Sequence, residues 1–286
     1  MTAVPEPVVA VCSTFLGAVP DDLVTGLYLR GGLAFGEWVE GHSDVDFTAT
    51  LGRRPTPEDV ATLRTAHEEV AAAHGGSPYL DGTHVLVDDL RRPPQDCPDA
   101  PDVHMGTFSD AGRFDLSPVS WHELARHGVA VRGPAPDTLG IWTDDDVLRD
   151  FTLTNLDTYW RGQAAQCRAN PAGASVPYAC EWVVPGAARL DHLLVTGQQT
   201  AKSRAAWWGL TFYPEEFHRV LRESLAIREG AFGPQYADPL ERARDVAAFA
   251  THVVAQWEPT TPSSPTGISA STRFPSGASG QAQAGS

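Results

Sequence analysis

The chain has 286 residues, 42% of them hydrophobic and 20% charged, a composition typical of globular proteins. Its length predicts two domains of ordinary size. Because 36 acidic residues outnumber 21 basic ones, the net charge is −15 and the average field repels a nucleic-acid backbone. No apolar run approaches the roughly 20 residues of a membrane span. These counts argue against a nucleic-acid-binding protein and a transmembrane protein.

The cysteine pattern and the N-terminal residues predict the cellular compartment. The four cysteines form no Cys-x-x-Cys pair and no cluster with metal-site spacing, so they are interpreted as reduced thiols. The N-terminus has no basic region before its short apolar stretch, which Pro5 and Pro7 interrupt. We therefore expect no signal peptide, a cytoplasmic location and a monomer.

Short β-rich runs alternate with helical ones from Val8 to about Arg132. A helix is predicted after Thr56, its N-cap, because Pro57 takes the first helical position and Asp59 completes a capping-box pattern. Four strands are predicted from apolar and β-branched runs: Leu27–Leu29, Val45–Leu51, Thr83–Val87 and Val129–Val131.

The next stretch is rich in Pro and Asp. Residues Arg91–Gly112 are therefore predicted to form a long loop. Ser120 and Glu123 form a capping-box pattern, which predicts the start of a helix that ends at Gly128.

Every segment from about Thr143 to Trp257 is predicted to be helical. Thr143 is interpreted as an N-cap because three aspartates follow it, and Gly197 as a helix end. Pro214 and Pro239 stand near the starts of two further helices. The predicted fold class is thus α+β: a mixed sheet with helices in residues 1–134, a helical bundle in 135–257 and a disordered tail in 258–286. Any site is expected in the cleft between the first two.

The most informative segment joins the first two strands. Gly31 and Gly32 follow the first strand, and their missing Cβ atoms let backbone N–H groups approach an anion. The second strand carries Asp44 and Asp46, which lie on one face because side chains alternate along a strand. Neighbouring carboxylates repel each other unless a divalent cation bridges them. The pattern therefore indicates a Mg²⁺ site beside a phosphate-binding turn.

An Asp-x-Asp pair alone is common on solvated strands, so the inference depends on the combination. The Gly-Gly turn followed by Ser43 and the aspartate pair resembles the signature of the polymerase-β-like nucleotidyltransferase superfamily. The resemblance implies two Mg²⁺ ions at Asp44 and Asp46, and phosphate contacts from Gly31, Gly32 and Ser43. The superfamily's usual serine is Gly32 here, so only backbone donors remain at that position.

The superfamily chemistry also needs a third carboxylate from a neighbouring strand. Asp81 is the preferred candidate because it begins the strand expected beside the aspartate pair, whereas Asp88 and Asp89 lie at the far end. Asp81 would complete the second metal site and take the proton of the acceptor hydroxyl. The alternative is that Asp81 and Gly82 simply form a turn.

The resemblance extends into the second half of the chain. Residues Glu123–Pro134 are similar to the segment that closes the catalytic domain of aminoglycoside adenylyltransferases of the streptomycin/spectinomycin type. Arg189 and Lys202 match an arginine and a lysine that contact the triphosphate in that family. Lys202 is the one lysine among the 21 basic residues, and its compact charge suits a triphosphate. For Arg189 the alternative is an ion pair within the bundle.

The resemblance implies an enzyme that transfers AMP from ATP to a hydroxyl of a small cationic acceptor, such as an aminoglycoside or aminocyclitol antibiotic. Tyr178, Glu181 and Trp182 fall near the positions that hold the antibiotic in the family. One alternative is an enzyme of the same superfamily that modifies another small molecule or a protein. The other is a catalytically silent nucleotide-binding or antitoxin-like regulator.

Overall fold

The structure, a computed structural model, describes residues 4–257, and a six-stranded mixed sheet organises their first half. The strands are β1 (Val24–Leu29), β2 (Val45–Leu51), β3 (Leu80–Leu86), β4 (Ala100–His104), β5 (Thr107–Gly112) and β6 (Val129–Arg132). In space they lie in the order β5-β4-β3-β2-β1-β6. Strands β2 and β3 are parallel, and the other neighbouring pairs are antiparallel. The parallel pairing places Asp46 directly beside Asp81.

Five helices accompany the sheet: α1 (Glu6–Ala18), α2 (Gly31–Ala34), α3 (Pro57–Ala73), α4 (Val87–Leu90) and α5 (Pro118–His127). Val45 and Phe47 of β2 pack with α1 and α3 on one face of the sheet. Because side chains alternate, Asp46 faces the other side, where Trp121 and Leu124 of α5 cover part of the sheet. The aspartates and α5 therefore share one face.

The predicted start of α3 is confirmed. Thr56 accepts a hydrogen bond from the backbone N–H of Asp59 at 3.2 Å, and the Asp59 carboxylate accepts one from the Thr56 N–H at 2.7 Å. Pro57 occupies the first helical position. This reciprocal pair satisfies two backbone donors that a helix start otherwise leaves without partners.

The loop predicted over Arg91–Gly112 is wrong. This segment contains a 3₁₀ turn (Pro94–Asp96) and the hairpin of β4 and β5. The strands were not recognised because β4 carries Pro101 and Asp102 where apolar residues are expected, and β5 is a largely exposed edge strand.

Two predicted caps are also wrong, each by a short shift. The cap of α5 is Ser117, which accepts a hydrogen bond from the Ser120 N–H at 3.2 Å. The following helix is capped by Asp144 rather than Thr143, through the Val147 N–H at 3.0 Å. In both places several cap-forming side chains are adjacent in sequence, and the pattern alone does not rank them.

The second half is helical, as predicted. After a 3₁₀ turn at Pro136–Thr138, the elements are α6 (Asp145–Asn155), a π-helical turn (Leu156–Trp160), α7 (Arg161–Ala169), α8 (Pro171–Ala174), α9 (Pro177–Thr196), α10 (Lys202–Phe212), a 3₁₀ turn (Glu215–Phe217), α11 (His218–Glu229) and α12 (Pro239–Gln256). Their core contains Trp160, Val184, Leu221 and Phe249. Helix α9 ends at Gly197, which has the left-handed conformation that glycine adopts without strain.

Two sequence expectations concern the rest of the chain. The predicted disordered tail, residues 258–286, lies outside the described residues. Within residues 4–257, every helix is too short or too polar to cross a lipid bilayer.

Candidate active site

The glycine turn makes room for the aspartate pair. Gly31 has a φ of +56°, and a Cβ atom there would overlap the Asp46 carboxylate. At Gly32 a Cβ atom would collide with the backbone carbonyl of Glu37. Glycine is therefore required at both positions, because Asp46 and the Glu37 carbonyl approach them too closely for a side chain. The turn lies directly against the site-facing side of β2.

Asp46 is half-buried, whereas Asp44 is exposed. Burial raises the pKa of Asp46 to about 7, and the Asp115, Glu123 and Asp44 carboxylates add to the rise while Arg30 opposes it. Partial desolvation also raises the pKa of Asp44, against the opposing charge of Lys202. A half-buried carboxylate whose charge a neighbouring carboxylate also disfavours is an arrangement that a bound cation stabilises.

Arg30 organises the carboxylates around Asp46. Its buried guanidinium donates hydrogen bonds to Thr48 Oγ1 at 2.8 Å and to the Phe47 carbonyl at 3.0 Å. It also forms an ion pair with Asp115 and lies 3.6 Å from Glu123 Oε2. One guanidinium thus offsets part of the negative charge that this face concentrates.

Two further carboxylates on this face are candidates for the third acidic group. Both oxygens of Asp81 accept backbone N–H groups, from Met105 at 2.6 Å and Gly106 at 3.1 Å. Burial nevertheless raises the pKa of Asp81 to about 6. Asp102 of β4 lies opposite Thr83 in the register and accepts one hydrogen bond, from the Phe114 N–H at 2.9 Å. Burial raises its pKa as well.

Asp81 therefore holds the β4–β5 turn in addition to facing the site. Its role as a ligand of the second metal ion and as the proton acceptor remains a prediction. Asp102 was missed because its strand was interpreted as a loop. Asp88 and Asp89 lie at the other end of β3, and Asp89 caps α4 through the Leu86 N–H at 3.0 Å.

The helical half supplies the positive charges. Burial lowers the pKa of Lys202 to about 8, and the neighbouring Arg189 and Arg228 lower it further, while Asp46 and Glu181 oppose the change. Among residues 4–257, no carboxylate lies within ion-pair distance of Arg189 or Lys202. Arg189 therefore forms no ion pair within the described part of the bundle, although its positive charge opposes the burial that raises the pKa of Glu123 on the sheet side.

Ser43 is held with its hydroxyl proton available. Its Oγ accepts hydrogen bonds from the Val39 N–H at 3.1 Å and from Arg228 Nη2 at 3.2 Å. A serine hydroxyl has two acceptor positions and one proton to donate. With both acceptor positions used, Ser43 can donate that proton to an incoming oxygen.

Two buried hydroxyls next to Lys202 have no hydrogen-bond partner among the described residues. They belong to Thr200 and Ser203, which are 3% and 4% exposed. Buried polar groups are normally hydrogen-bonded, so unpartnered ones beside a free cation indicate a polar ligand.

A cleft of about 340 Å³ extends from Asp46 to the helices. Its aromatic wall includes Trp160 and Trp182, whose rings stack with centroids 5.2 Å apart. Asp115 and Glu123 line the opposite side. Arg30 and Arg189 line it as well, so the cleft combines ring faces with charges of both signs.

The three predicted acceptor residues are separated by the structure. Trp182 lines the cleft, whereas Tyr178 is 64% exposed and is absent from the cleft wall. Glu181 is buried and binds Arg228 at 3.0 Å and His42 at 2.9 Å. Of the three, only Trp182 lines this cleft, while Tyr178 lies near Asp44, whose charge adds to the effect of burial in raising the pKa of Tyr178.

The aspartate pair fits a Mg²⁺ site of the kind that nucleotide enzymes use. Mg²⁺ prefers oxygen ligands and is commonly held by one or two carboxylates together with substrate phosphates. No group of three or more His, Cys, Asp or Glu side chains in residues 4–257 has metal-binding geometry. Asp44 and Asp46 would thus hold the ion jointly with a phosphate ligand.

Comparison with known proteins gives the class of this fold. Residues 174–256 match the family model for the C-terminal domain of aminoglycoside adenylyltransferase. No curated protein matches the sequence. The fold is similar to the crystal structure of spectinomycin adenyltransferase AAD(9) from Enterococcus faecialis with ATP and spectinomycin. The TM-score is 0.60 at 12% identity, and the match covers 90% of this chain and 100% of that chain.

The chain therefore resembles aminoglycoside adenylyltransferases in the sequence of its C-terminal part and in its overall fold. The predicted resemblance to aminoglycoside adenylyltransferases and the predicted α+β fold class are confirmed.

Proposed function

We propose that this protein transfers AMP from ATP to a hydroxyl group of an aminoglycoside or aminocyclitol acceptor. The observation that carries the proposal is the meeting of Asp44 and Asp46 with the free cations Arg189 and Lys202 at one site. AAD(9), whose fold is similar, was crystallised with ATP and spectinomycin, which supports both substrate classes. A cytoplasmic location and a monomeric state belong to the same proposal.

The ATP triphosphate would lie between the two charge groups. Arg189 and Lys202 would bind its oxygens and stabilise the negative charge that develops on the departing pyrophosphate. Ser43 would donate its hydroxyl proton to the same group, and Thr200 and Ser203 offer unpartnered hydroxyls nearby. The Gly32 backbone would complete this side of the site, whereas the Gly31 N–H donates to the Glu123 carboxylate in this structure.

Asp44 and Asp46 would hold two Mg²⁺ ions, with Asp81 or Asp102 contributing to the second. When bound, the ions would neutralise phosphate charge and favour the attacking oxygen in its deprotonated form. The buried position of Asp46 makes its charge costly without such a cation, which supports this assignment.

The reaction itself is a displacement at the α-phosphorus of ATP. The acceptor hydroxyl oxygen forms a bond to that phosphorus, the bond to the β-phosphate oxygen breaks, and pyrophosphate leaves. The hydroxyl proton goes to a carboxylate of the sheet face, Asp81 as predicted from the sequence or Asp102. Proton acceptance by a positioned side chain is typically worth about 10²–10⁴-fold in rate.

The acceptor would bind in the cleft beside Asp46. Stacked Trp160 and Trp182 provide ring faces, and Asp115 and Glu123 provide negative charge for amino groups of the acceptor. The net charge of −15 also favours approach of a polycation.

An acceptor panel tests the proposal. The purified protein is incubated with MgCl₂, α-labelled ATP and, separately, spectinomycin, streptomycin, a lincosamide and a protein mixture. We expect label transfer and pyrophosphate release with spectinomycin or streptomycin. Transfer only to a lincosamide or a protein would support the superfamily alternative. ATP binding with no transfer would support the silent regulator.

A further inference from the structure

Helix α10 begins without a cap from its own segment. Its N-cap residue, Ala201, has no side-chain acceptor, and the first backbone N–H groups of a helix have no partner within it. The missing acceptor comes from the sheet half of the molecule. The Ser203 N–H donates to Glu37 Oε1 at 2.7 Å, and the Arg204 N–H donates to Glu37 Oε2 at 3.1 Å.

Glu37 belongs to the loop between the glycine turn and β2. Its backbone N–H donates to the Gly32 carbonyl at 2.8 Å, so the residue is fixed to the turn itself. The side chain is 14% exposed, and Arg228 Nε lies 3.4 Å from Oε1. A second link is present beside it, because Arg204 Nη2 donates to the Phe35 carbonyl at 3.3 Å.

The capped helix begins with Lys202. A lysine side chain has a flexible four-carbon stem, so the place where its backbone is held determines which atoms its ammonium can reach. Glu37 fixes the two residues that follow Lys202 and is itself bonded to the glycine turn. The carboxylate also favours the helix start electrostatically, because the N-terminal end of a helix carries partial positive charge.

We infer that Glu37 is a positioning residue, which joins the glycine turn to the start of α10 and so holds Lys202 against the ATP triphosphate. The inference rests on the proposed function for the role of Lys202. Glu37 needs no contact with the nucleotide, since it acts through the backbone of Ser203 and Arg204.

The test compares Glu37→Ala and Glu37→Gln with Glu40→Gln, an exposed glutamate in the same loop. Binding of ATP in MgCl₂ is measured by calorimetry without acceptor. Glu37→Ala should raise the Kd for ATP about tenfold, which corresponds to about 1.4 kcal/mol. Glu37→Gln keeps one carbonyl acceptor and should give a smaller rise. Glu40→Gln should bind like the wild type.

Amide hydrogen exchange provides a readout that is specific to the cap. In Glu37→Ala the amides of Ser203 and Arg204 should exchange faster, while the Leu240 amide, which Asp238 caps at 2.9 Å in α12, should not change. When Lys202 is already alanine, Glu37→Ala should raise the Kd for ATP less than about twofold. The two effects are not additive because Glu37 acts through Lys202.

The outcomes separate the inference from the proposed function. A wild-type protein that does not bind ATP contradicts the proposed function. Tight wild-type binding with an unchanged Kd in Glu37→Ala overturns the inference, as does an equal effect of that substitution with and without Lys202. If the Ser203 and Arg204 amides exchange as slowly in Glu37→Ala as in the wild type, Glu37 does not cap α10 and the inference is wrong.

Discussion

The sheet half and the helical half of this protein bring opposite charges close together. The sheet face carries Asp44 and Asp46 with further carboxylates around them, whereas the helices carry Arg189 and Lys202. Burial is the main cause of the raised pKa of Asp46 and of the lowered pKa of Lys202, and neighbouring like charges add to both shifts. Under the proposed function, a metal-bound triphosphate would need charges of both signs and therefore residues of both halves.

The two halves also differ in how their charges are held. Carboxylates on the sheet are fixed by strand register, because Asp46 and Asp81 are neighbours across the parallel pair. The cations depend on where helices begin and on contacts across the cleft, such as Ser203 to Glu37. Changes to the sheet should therefore remove chemistry, and changes to the helices should weaken substrate binding.

The largest expected effect is on the sheet side. Asp46→Asn should lower the transfer rate about 10³-fold, since a bound ion supplies several kcal/mol of charge stabilisation. The folded-state pKa of about 7 lies above the usual 3.8, so ionised Asp46 disfavours folding as pH rises through 7. The variant should therefore unfold at an equal or higher temperature than the wild type at pH 8 in EDTA. If Asp46→Asn retained the transfer activity, Asp46 would not be part of the active site. If the variant failed to fold, the role of Asp46 would be structural.

The second prediction separates the two candidate proton acceptors. Asp102→Asn and Asp81→Asn are compared in single-turnover transfer assays, and the true acceptor should lose about 10²-fold or more in rate. Asp81 also holds the Met105 and Gly106 amides, so Asp81→Asn should lower the melting temperature as well. A loss of transfer rate in only one variant identifies that residue as the proton acceptor. Unchanged rates in both variants would exclude both residues from this role.

On the helical side, Lys202→Ala should raise the KM for ATP about 30-fold and change the acceptor KM little, since a charged hydrogen bond is worth about 2 kcal/mol. The pH dependence gives a second readout. With a pKa of about 8, Lys202 is charged below pH 8 and neutral above it, so kcat/KM for ATP should fall as pH rises through 8. Lys202→Arg stays charged and should lack that fall. The same fall in Lys202→Arg would assign the titration to another group.

The smallest effect is expected in the acceptor cleft. Glu123→Gln removes one buried carboxylate and should raise the acceptor KM about tenfold, with the KM for ATP within about twofold of wild type. Asp150→Asn, an exposed change of the same charge on α6, is the matched control. A rise in the KM for ATP alone would place Glu123 on the nucleotide side instead.

The parts of the candidate site that could be predicted are those whose residues follow the regular alternation of side chains along one strand. The β2 strand has the bounds that its apolar pattern indicated, and it carries Asp46 as predicted. Asp44 lies one residue before the strand and not within it. Asp102 was missed because the polar residues of β4 conceal the strand pattern. Arg189 and Lys202 are predicted phosphate contacts only through a family resemblance, since a single cation on a helix has no pattern of its own, and their role stays a prediction.

Contacts between distant segments were not predictable. Glu37 caps a helix that begins more than 160 residues later, and Arg228 reaches Ser43 across 185 residues. Arg30 joins Asp115 and Glu123 on one side of Asp46 only after the sheet and α5 have packed. Such partners are set by tertiary packing, which a pattern of neighbouring residues does not record.

The most direct test is a crystal structure of the protein with a non-hydrolysable ATP analogue and MgCl₂. The account predicts a triphosphate that bridges the two halves, with the metal on Asp44 and Asp46 and phosphate oxygens on Arg189 and Lys202. A triphosphate bound to one half only, or a metal held by other residues, would contradict it.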